Sequence, residues 1–142
     1  MNEQNFSNHT RYHPLFHYVL APLTFAGLVG SVVNLVNCEP AGLYSASLLV
    51  IAFVLIFILG MLVRTYALKA QDRAIRAEEN FRHFLLTGKP FDARLRTGQI
   101  VALRFASDEE LPTLAQKAAD EGLGTKAIKS SIKHWKADHY RI

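Results

Sequence analysis

An uninterrupted apolar run between Leu43 and Val63 is the feature that most limits how this chain can fold. The run contains no charged residue, and Gly60 is its only helix-weakening residue. At about 1.5 Å per residue, a helix of this length crosses a hydrocarbon core of about 30 Å. The charged sequence that follows lacks proline as far as Thr87. We therefore predict one long helix, with a membrane span over 43–63 and a water-exposed extension over 64–87.

A second apolar segment, residues 15–36, precedes this run and predicts another membrane span. Phe16 lies where interfacial aromatic residues belong, and Pro22 is tolerated near the start of a membrane helix that has neighbours. The connection between the two spans carries Pro40 and Gly42, so it has room only for a tight turn. The spans should therefore form an antiparallel hairpin.

Charge is distributed very unevenly along the chain, whose formal net charge is +4. Of its 16 Lys and Arg and 12 Asp and Glu residues, only Glu3, Arg11 and Glu39 precede Arg64. Basic flanks stay in the cytosol, so we expect both termini there. Cations just below a span attract anionic lipid headgroups, by about 1 kcal/mol each. We call the four cations expected to make such contacts the basic collar: Arg64, Lys69, Arg73 and Arg76.

Small residues recur every four positions in the first span, which lets another helix approach closely. They form two pairs, Ala26 with Gly30 and Gly27 with Ser31, and Asn34 extends the stripe by one turn. Packing against the second span of the same hairpin is favoured over contact with another copy, and the two are compatible. We expect Asn34 either to cap the helix or to hydrogen-bond across the hairpin to Ser45 or Ser47.

Asn34 also permits an alternative in which the first span lines a pore, because an amide in a membrane requires a partner or water. Thr24 and Ser31 are the other polar residues available for such a face. No Asp, Glu, Lys or Arg lies deep in either span, which argues against a proton relay, a pump or a charged selectivity filter.

The extension of the second helix is amphipathic, and its apolar residues recur at near-heptad steps. They are Ala67, Leu68, Ala74, Ile75, Phe81 and Leu85. This sparse seam favours packing against the chain's own tail over a coiled coil.

The tail, residues 88–142, predicts a small basic domain of three short helices. The Gly-Lys-Pro sequence at 88–90 ends the long helix, and 122–124 separates the last two. Expected starts are Thr97 as the cap of the first helix, a capping box over 107–110 for the second and Thr125 as the cap of the third. Pro112 should fall just past a first turn, where it removes a backbone donor at some cost.

The last helix is predicted to be amphipathic, with Ile128, Ile132 and Trp135 on its apolar face. The opposite face carries a lysine stripe: Lys126, Lys129, Lys133 and Lys136. A solvated face is the ordinary interpretation of such a stripe. As a binding surface it would suit anionic lipid, RNA or an acidic partner, with lipid ahead of nucleic acid because the membrane is tethered nearby.

Chemical sites are weakly represented in the sequence. His9, His13 and His17 have the spacing of metal ligands on a helix, but Pro14 pushes His13 out of the helical region, so no metal site is predicted. Cys38 is the single cysteine, which excludes an intramolecular disulfide. We interpret it as a loop cysteine, with lipidation or an intermolecular disulfide as alternatives.

Catalytic and cofactor motifs are absent: the sequence has no phosphate-binding glycine loop, no nucleophile elbow and no zinc motif. Asp138 and His139 are adjacent, and adjacent helical positions point apart. We therefore predict neither an enzyme nor a cofactor.

Several segments together resemble a family of small bacterial two-span membrane proteins of uncharacterised function. They are Asn8-His9 with Arg11-Tyr12, residues 64–69 with 71–73, residues 103–111, and Ile132-Lys133 with Trp135 and Asp138. The resemblance implies two spans in a bacterial inner membrane, and it brings no activity or ligand.

These observations predict an all-α membrane hairpin with a polar N-terminal tail over 1–14 and a helical cytosolic tail. The expected function is that of a non-catalytic accessory or scaffold subunit, as a homo-oligomer or within a larger membrane complex. A homo-oligomeric channel is the alternative, and a membrane tether for an acidic partner, RNA or a ribosome is the third hypothesis.

Overall fold

The computed structural model describes residues 5–6 and 13–138, and these residues are predominantly α-helical. The chain divides into two compact units, whose described parts are residues 13–67 on one side and residues 5–6 with 68–138 on the other. Within the described residues the helices are α1 (Ala21–Asn37), α2 (Leu43–Thr87), α3 (Thr97–Leu103), α4 (Leu111–Asp120) and α5 (Thr125–Ser131). The all-α prediction is confirmed at this level.

A wide helical turn over Leu15–Leu20 precedes α1, and together they form a helix of 23 residues, Leu15–Asn37. The turn has π geometry: the backbone N–H of Ala21 donates to the carbonyl of Phe16, five residues earlier. Pro22 explains this widening, because its ring has no N–H and would collide with the carbonyl four residues before it in a regular α-helix. The predicted helix over 15–36 is confirmed, with a π turn where Pro22 was expected to be tolerated.

The connection between α1 and α2 is short. Cys38 and Glu39 are extended, and Pro40–Gly42 forms a single 3₁₀ turn closed by a 2.8 Å hydrogen bond from Gly42 N–H to the Glu39 carbonyl. Side chains then meet in reverse order along the two helices: Gly27 faces Phe53, and Phe16 lies against Arg64. The two apolar helices therefore form an antiparallel hairpin.

Helix α2 runs for 45 residues without a break, from Leu43 to Thr87. It ends at Gly88, whose φ of +73° belongs to the left-handed region that glycine adopts without strain. The N–H of Gly88 donates to the carbonyl of Phe84 at 2.8 Å, which satisfies one of the last free carbonyls of the helix. Both ends of this helix agree with the sequence prediction.

The C-terminal unit has its own hydrophobic core, with α3 at the centre. Ala102, Leu103, Phe105 and Ala106 are fully inaccessible to solvent. The remaining larger members of the core are Phe91, Leu95, Ile100, Leu111, Leu114, Ile128 and Ile132. The predicted three short helices and the central position of the first one are both confirmed.

The predicted helix caps were wrong by one residue. Thr97 and Thr125 are the first helical residues, and the capping positions are Arg96 and Gly124. At the start of α3, the Gln99 side-chain carbonyl accepts the Arg96 N–H at 2.7 Å, which is the bond that the third helical residue supplies in a capping box.

Pro112 lies in the first turn of α4, so the cost predicted for it is absent. The N–H groups of a first turn have no partner inside the helix, and a proline there sacrifices no hydrogen bond. The predicted capping box over 107–110 was wrong, because the helix begins at Leu111 and the Glu110 carboxylate accepts the N–H groups of Lys133 and His134. Only the bond from the Glu110 N–H to Ser107 Oγ, at 3.3 Å, is present.

The prediction that α5 extends as far as Trp135 was wrong, because this helix ends at Ser131. Ile132 has extended backbone angles, and the chain then pairs in antiparallel fashion with the end of α3 through a bridge between Ala106 and Trp135. The N–H of Lys136 donates to the Phe105 carbonyl at 2.8 Å. Backbone pairing to a buried segment therefore replaces helical bonds over these residues.

Candidate functional site

The stripe of small residues on α1 is divided between two faces of the helix. Gly27 faces α2, because a Cβ atom placed on it would collide with the ring of Phe53. Ser31 and Thr24 are buried on the same side, and the Ser31 hydroxyl donates to the Leu28 carbonyl at 2.7 Å. This half of the stripe is occupied inside the hairpin, where small side chains let the two helices approach closely.

The other half of the stripe faces away from α2. Ala26, Gly30 and Asn34 are all exposed, and a Cβ atom on Gly30 would meet nothing within 4 Å. The predicted bonds from Asn34 to Ser45 or Ser47 were wrong: Ser47 donates instead to the Tyr44 carbonyl at 2.8 Å. Among the described residues, no hydrogen bond satisfies the Asn34 side chain.

Arg64 is the residue of the basic collar that lies in the N-terminal unit. Its guanidinium carbon lies 5.4 Å from the ring centroid of Phe16, a cation–π geometry, and the side chain is half-buried. This contact joins the start of the first apolar helix to α2. Arg64 therefore has a packing role in addition to its predicted lipid contact.

In the C-terminal unit, Lys69, Arg73 and Arg76 are exposed on α2. Arg73 and Arg76 form one side of an open cleft of about 430 Å³. The polar part of its remaining wall comes from Asn80 and Asp92, and the apolar part from Ala77, Pro90, Phe91, Ala93, Leu95 and Ile100. Within the part of the chain that the structure describes, neither arginine forms an ion pair, so both are available to an anion.

Asp92 does not neutralise these arginines, because Arg94 holds it. Their side chains are 2.7 Å apart, and Arg94 also reaches Asp120 at 2.8 Å. Hydrogen bonds from the Arg94 side chain and backbone lower the pKa of Asp92 to about 2. The cleft therefore keeps a net positive wall formed by Arg73 and Arg76.

Arg82 joins α2 to the core of the C-terminal unit, a role that the sequence analysis missed. Its guanidinium donates to Glu79 Oε2 at 2.9 Å, to Asp108 Oδ1 at 2.6 Å and to the Ala106 carbonyl at 2.8 Å. The side chain is only 13% exposed. Its hydrogen bonds lower the pKa of Asp108. Ala106 and Asp108 are 24 and 26 residues away along the chain, so no local pattern could indicate these two contacts.

Two more polar residues of α2 contact the same unit. Asn80 Oδ1 accepts the Phe91 N–H at 2.9 Å. The His83 ring stacks on Phe91 with centroids 4.4 Å apart, and its Nδ1 lies 2.9 Å from the Lys89 carbonyl, which accepts when Nδ1 is protonated. A polar face of α2 therefore packs on the tail, together with the buried Ile75.

The predicted apolar seam of the extension accordingly points the wrong way. Phe81 is 63% exposed and Leu85 is 68% exposed, whereas only Ile75 of the predicted set is buried. The reason is that Arg82, with its three acceptors, fixes which face of the helix meets the tail. The face that was expected to pack on the chain itself lies outside.

The lysine stripe does not form one helical face, because Lys133 and Lys136 lie beyond the end of α5. Lys126, Lys133 and Lys136 are exposed, whereas Lys129 is half-buried with its Nζ 5.5 Å from the Phe105 ring centroid. The structure thus separates the four lysines into a helical pair and an extended pair.

Glu110 anchors the extended segment. Its carboxylate accepts the N–H groups of Lys133 and His134 at 3.2 and 3.3 Å, and it lies 3.0 Å from His134 Nδ1. Burial raises the pKa of Glu110 most strongly, but these hydrogen bonds together outweigh it, so the pKa is lowered overall.

The sequence predicts no metal site, and the structure can be searched for one only over the residues that it describes. Over residues 5–6 and 13–138, no group of three or more His, Cys, Asp or Glu side chains could hold a metal ion. His9 and His139, together with Arg11 and Tyr12, lie outside the described residues. Cys38 is half-buried, with its Sγ 3.3 Å from the Leu35 carbonyl.

The two apolar helices, Leu15–Asn37 and Pro40–Thr87, are long and apolar enough to cross a membrane. No curated protein and no solved structure matches the chain. A family model does match, over residues 1–142. The chain therefore belongs to the family of unknown function DUF6526.

Proposed function

We propose that this protein is a non-catalytic integral membrane subunit, acting as an accessory or scaffold component of a membrane assembly. The observation that carries this proposal is the exposure of the apolar hairpin. Only 11% of the most apolar stretch of the first helix and 6% of that of the second are buried within the protein. Exposing this much apolar surface to water would cost free energy. The hairpin therefore requires a hydrocarbon environment or a protein partner.

The bacterial inner membrane is the proposed location, with both termini in the cytosol. Support comes from the positive charge that begins at Arg64 and from the family resemblance. Arg76, at the wall of its cleft, is the proposed contact for an anionic headgroup, because it lacks an ion-pair partner among the described residues. Arg73, beside it, is available to a headgroup or to a protein partner. Lys69 and the exposed lysines of the tail extend this attraction to the cytosolic leaflet.

A channel is less well supported than a scaffold. Its polar wall would need Thr24, Ser31 and Asn34, but Thr24 and Ser31 are buried inside the hairpin. Asn34 alone remains exposed. A membrane tether for RNA is also less well supported, because the four tail lysines do not line one helical face.

Native mass measurement of the full chain after mild detergent extraction tests the proposal. We expect the protein to resist alkaline carbonate washing and to migrate as an oligomer or with a stoichiometric partner. Release by carbonate would contradict membrane integration. A strictly monomeric particle without any co-purifying protein would contradict the scaffold role.

A further inference from the structure

The outward face of α2 in the C-terminal unit carries a regular apolar seam, which we call the outer seam. It consists of Ala70, Ala74, Ala77, Phe81 and Phe84. These residues follow one another at alternating steps of four and three, the spacing of positions d and a in a heptad repeat. All five are exposed, and Phe81 and Phe84 are 63% and 49% exposed.

The chain itself does not cover this seam. Its own tail packs on the opposite, polar face through Arg82 and His83, and it reaches only the edge of the seam, where Ala77 lines the cleft. Alanine at three consecutive seam positions allows a second helix axis to approach to the close end of the usual range of about 8–10 Å. The two phenylalanines then supply most of the apolar area at the end of the seam.

Charges beside the seam indicate what covers it. In the same heptad register Arg73 occupies position g and Glu78 the following position e. In a parallel, in-register pair of helices, position g of one copy lies beside the following position e of the other. Both side chains are exposed, and within the described residues neither forms an ion pair. In an antiparallel pair, position g would lie beside position g. Each Arg73 would then have no Glu78 beside it.

We propose that the outer seam is a parallel homodimer interface, in which Arg73 of each copy pairs with Glu78 of the other. The inference rests on the proposed membrane function, because copies inserted the same way in one membrane present α2 in the same direction. Two heptads of mainly alanine are too short to hold a dimer in dilute solution. Confinement to a membrane raises the effective concentration of the second copy and compensates for the short seam.

Disulfide cross-linking in native membranes tests this interface. Two differently tagged full-length copies are co-expressed with Cys38→Ser, which removes the natural thiol, and with a cysteine at the seam, Ala77→Cys. Leu86→Cys is the matched control, because Leu86 is 43% exposed on α2 but lies off the seam. Mild oxidation should link the two tags through Ala77→Cys, since facing seam positions come within disulfide reach, and should not do so through Leu86→Cys.

Charge exchange provides the second readout on the Ala77→Cys background. Arg73→Glu or Glu78→Arg alone places like charges opposite each other and should lower the cross-linked fraction about three-fold. The double exchange, Arg73→Glu with Glu78→Arg, should restore it. An effect of lipid attraction alone would instead follow net charge, so that Glu78→Arg would not weaken cross-linking.

Carbonate washing of the same membranes separates the two proposals. Variants that remain in the membrane but cross-link equally at both positions, or at neither, would overturn the homodimer and leave the membrane proposal standing. A cross-linked product whose mass is not that of two copies, with no product carrying both tags, would show that a different protein covers the seam, which also overturns the homodimer. Release of the protein by carbonate would overturn the proposed function itself.

Discussion

Single residues on α1 show how one stripe of small side chains serves two faces. Gly27 meets the ring of Phe53, whereas Gly30, three residues later, meets nothing. A glycine is required only where another helix comes too close for a Cβ atom. The two glycines therefore provide a matched pair for testing the hairpin.

Leucine at these two positions should have opposite outcomes. Gly27→Leu forces the Phe53 ring aside and should separate α1 from α2 by about 1–2 Å or more, toward the wide end of ordinary helix spacing. Gly30→Leu should leave the spacing unchanged. Spin labels at Leu23→Cys and Phe57→Cys, with Cys38→Ser, report the distance in detergent. Equal distances in both variants would contradict the assigned packing.

The carboxylate of Asp92 makes the C-terminal unit sensitive to acid. Its pKa falls from the ordinary 3.8 to about 2, so the folded state favours the ionised form. This contribution is complete above the unfolded pKa and is lost as the pH falls through the folded one. Thermal stability should therefore decline between about pH 4 and pH 2.

Asp92→Asn should flatten this decline, because the variant has no proton to bind at that position. Glu121→Gln is the control, since Glu121 is exposed and forms no ion pair within the described chain. The measurement is the melting temperature at a series of pH values. A pH profile for Asp92→Asn that matches the unaltered protein would contradict the role assigned to Arg94.

Helix α2 shows that hydrophobic periodicity predicts where a helix forms more reliably than it predicts which face of that helix is buried. The repeat from Ala74 to Phe81 correctly indicates an amphipathic helix, but not which side meets the tail. Arg82 decides this through acceptors on Glu79, Ala106 and Asp108. A largely covered guanidinium with three acceptors stabilises this packing more than the apolar stripe would, because charge-assisted hydrogen bonds are strong and directional.

Removing Arg82 should loosen the C-terminal part of α2 from the core. Arg82→Ala leaves the Ala106 carbonyl and two carboxylates without their donor and should lower the free energy of unfolding by about 2 kcal/mol. Trp135, the single tryptophan, packs 5.0 Å from the Phe105 ring and reports unfolding of this core by fluorescence.

Arg76→Ala is the matched control on the same helix. Arg76 is exposed and forms no ion pair within the described residues, so we expect a change within about 0.5 kcal/mol. A similar loss of stability in both variants would mean that general charge, and not the contacts of Arg82, holds the helix in place.

For the whole molecule, the proposed orientation predicts which residues are reachable from each side of the membrane. In a Cys38→Ser background, Glu39→Cys should react with an impermeant maleimide on intact spheroplasts, since Glu39 is exposed in the turn. Lys126→Cys, exposed on α5, should react only after permeabilisation. The reverse pattern would contradict the orientation inferred from charge.

The sequence by itself determined which helices this protein has and their order along the chain. The bounds of α2, the hairpin turn, the three tail helices and the central position of α3 follow from hydrophobic runs, glycine and proline, which act over a few residues. The family, one of uncharacterised function, is also recognisable from the sequence, because its matching segments extend along most of the chain.

Only the tertiary structure decided which faces meet. Arg82 with Asp108, the end of α5 at Ser131 and the division of the stripe between Gly27 and Gly30 all depend on residues distant in sequence. Which face of a helix packs on the rest of the chain depends on the partners that the fold brings next to it. The local sequence pattern is the same whichever face is buried. The exposed outer seam, from Ala70 to Phe84, is the clearest example of this dependence.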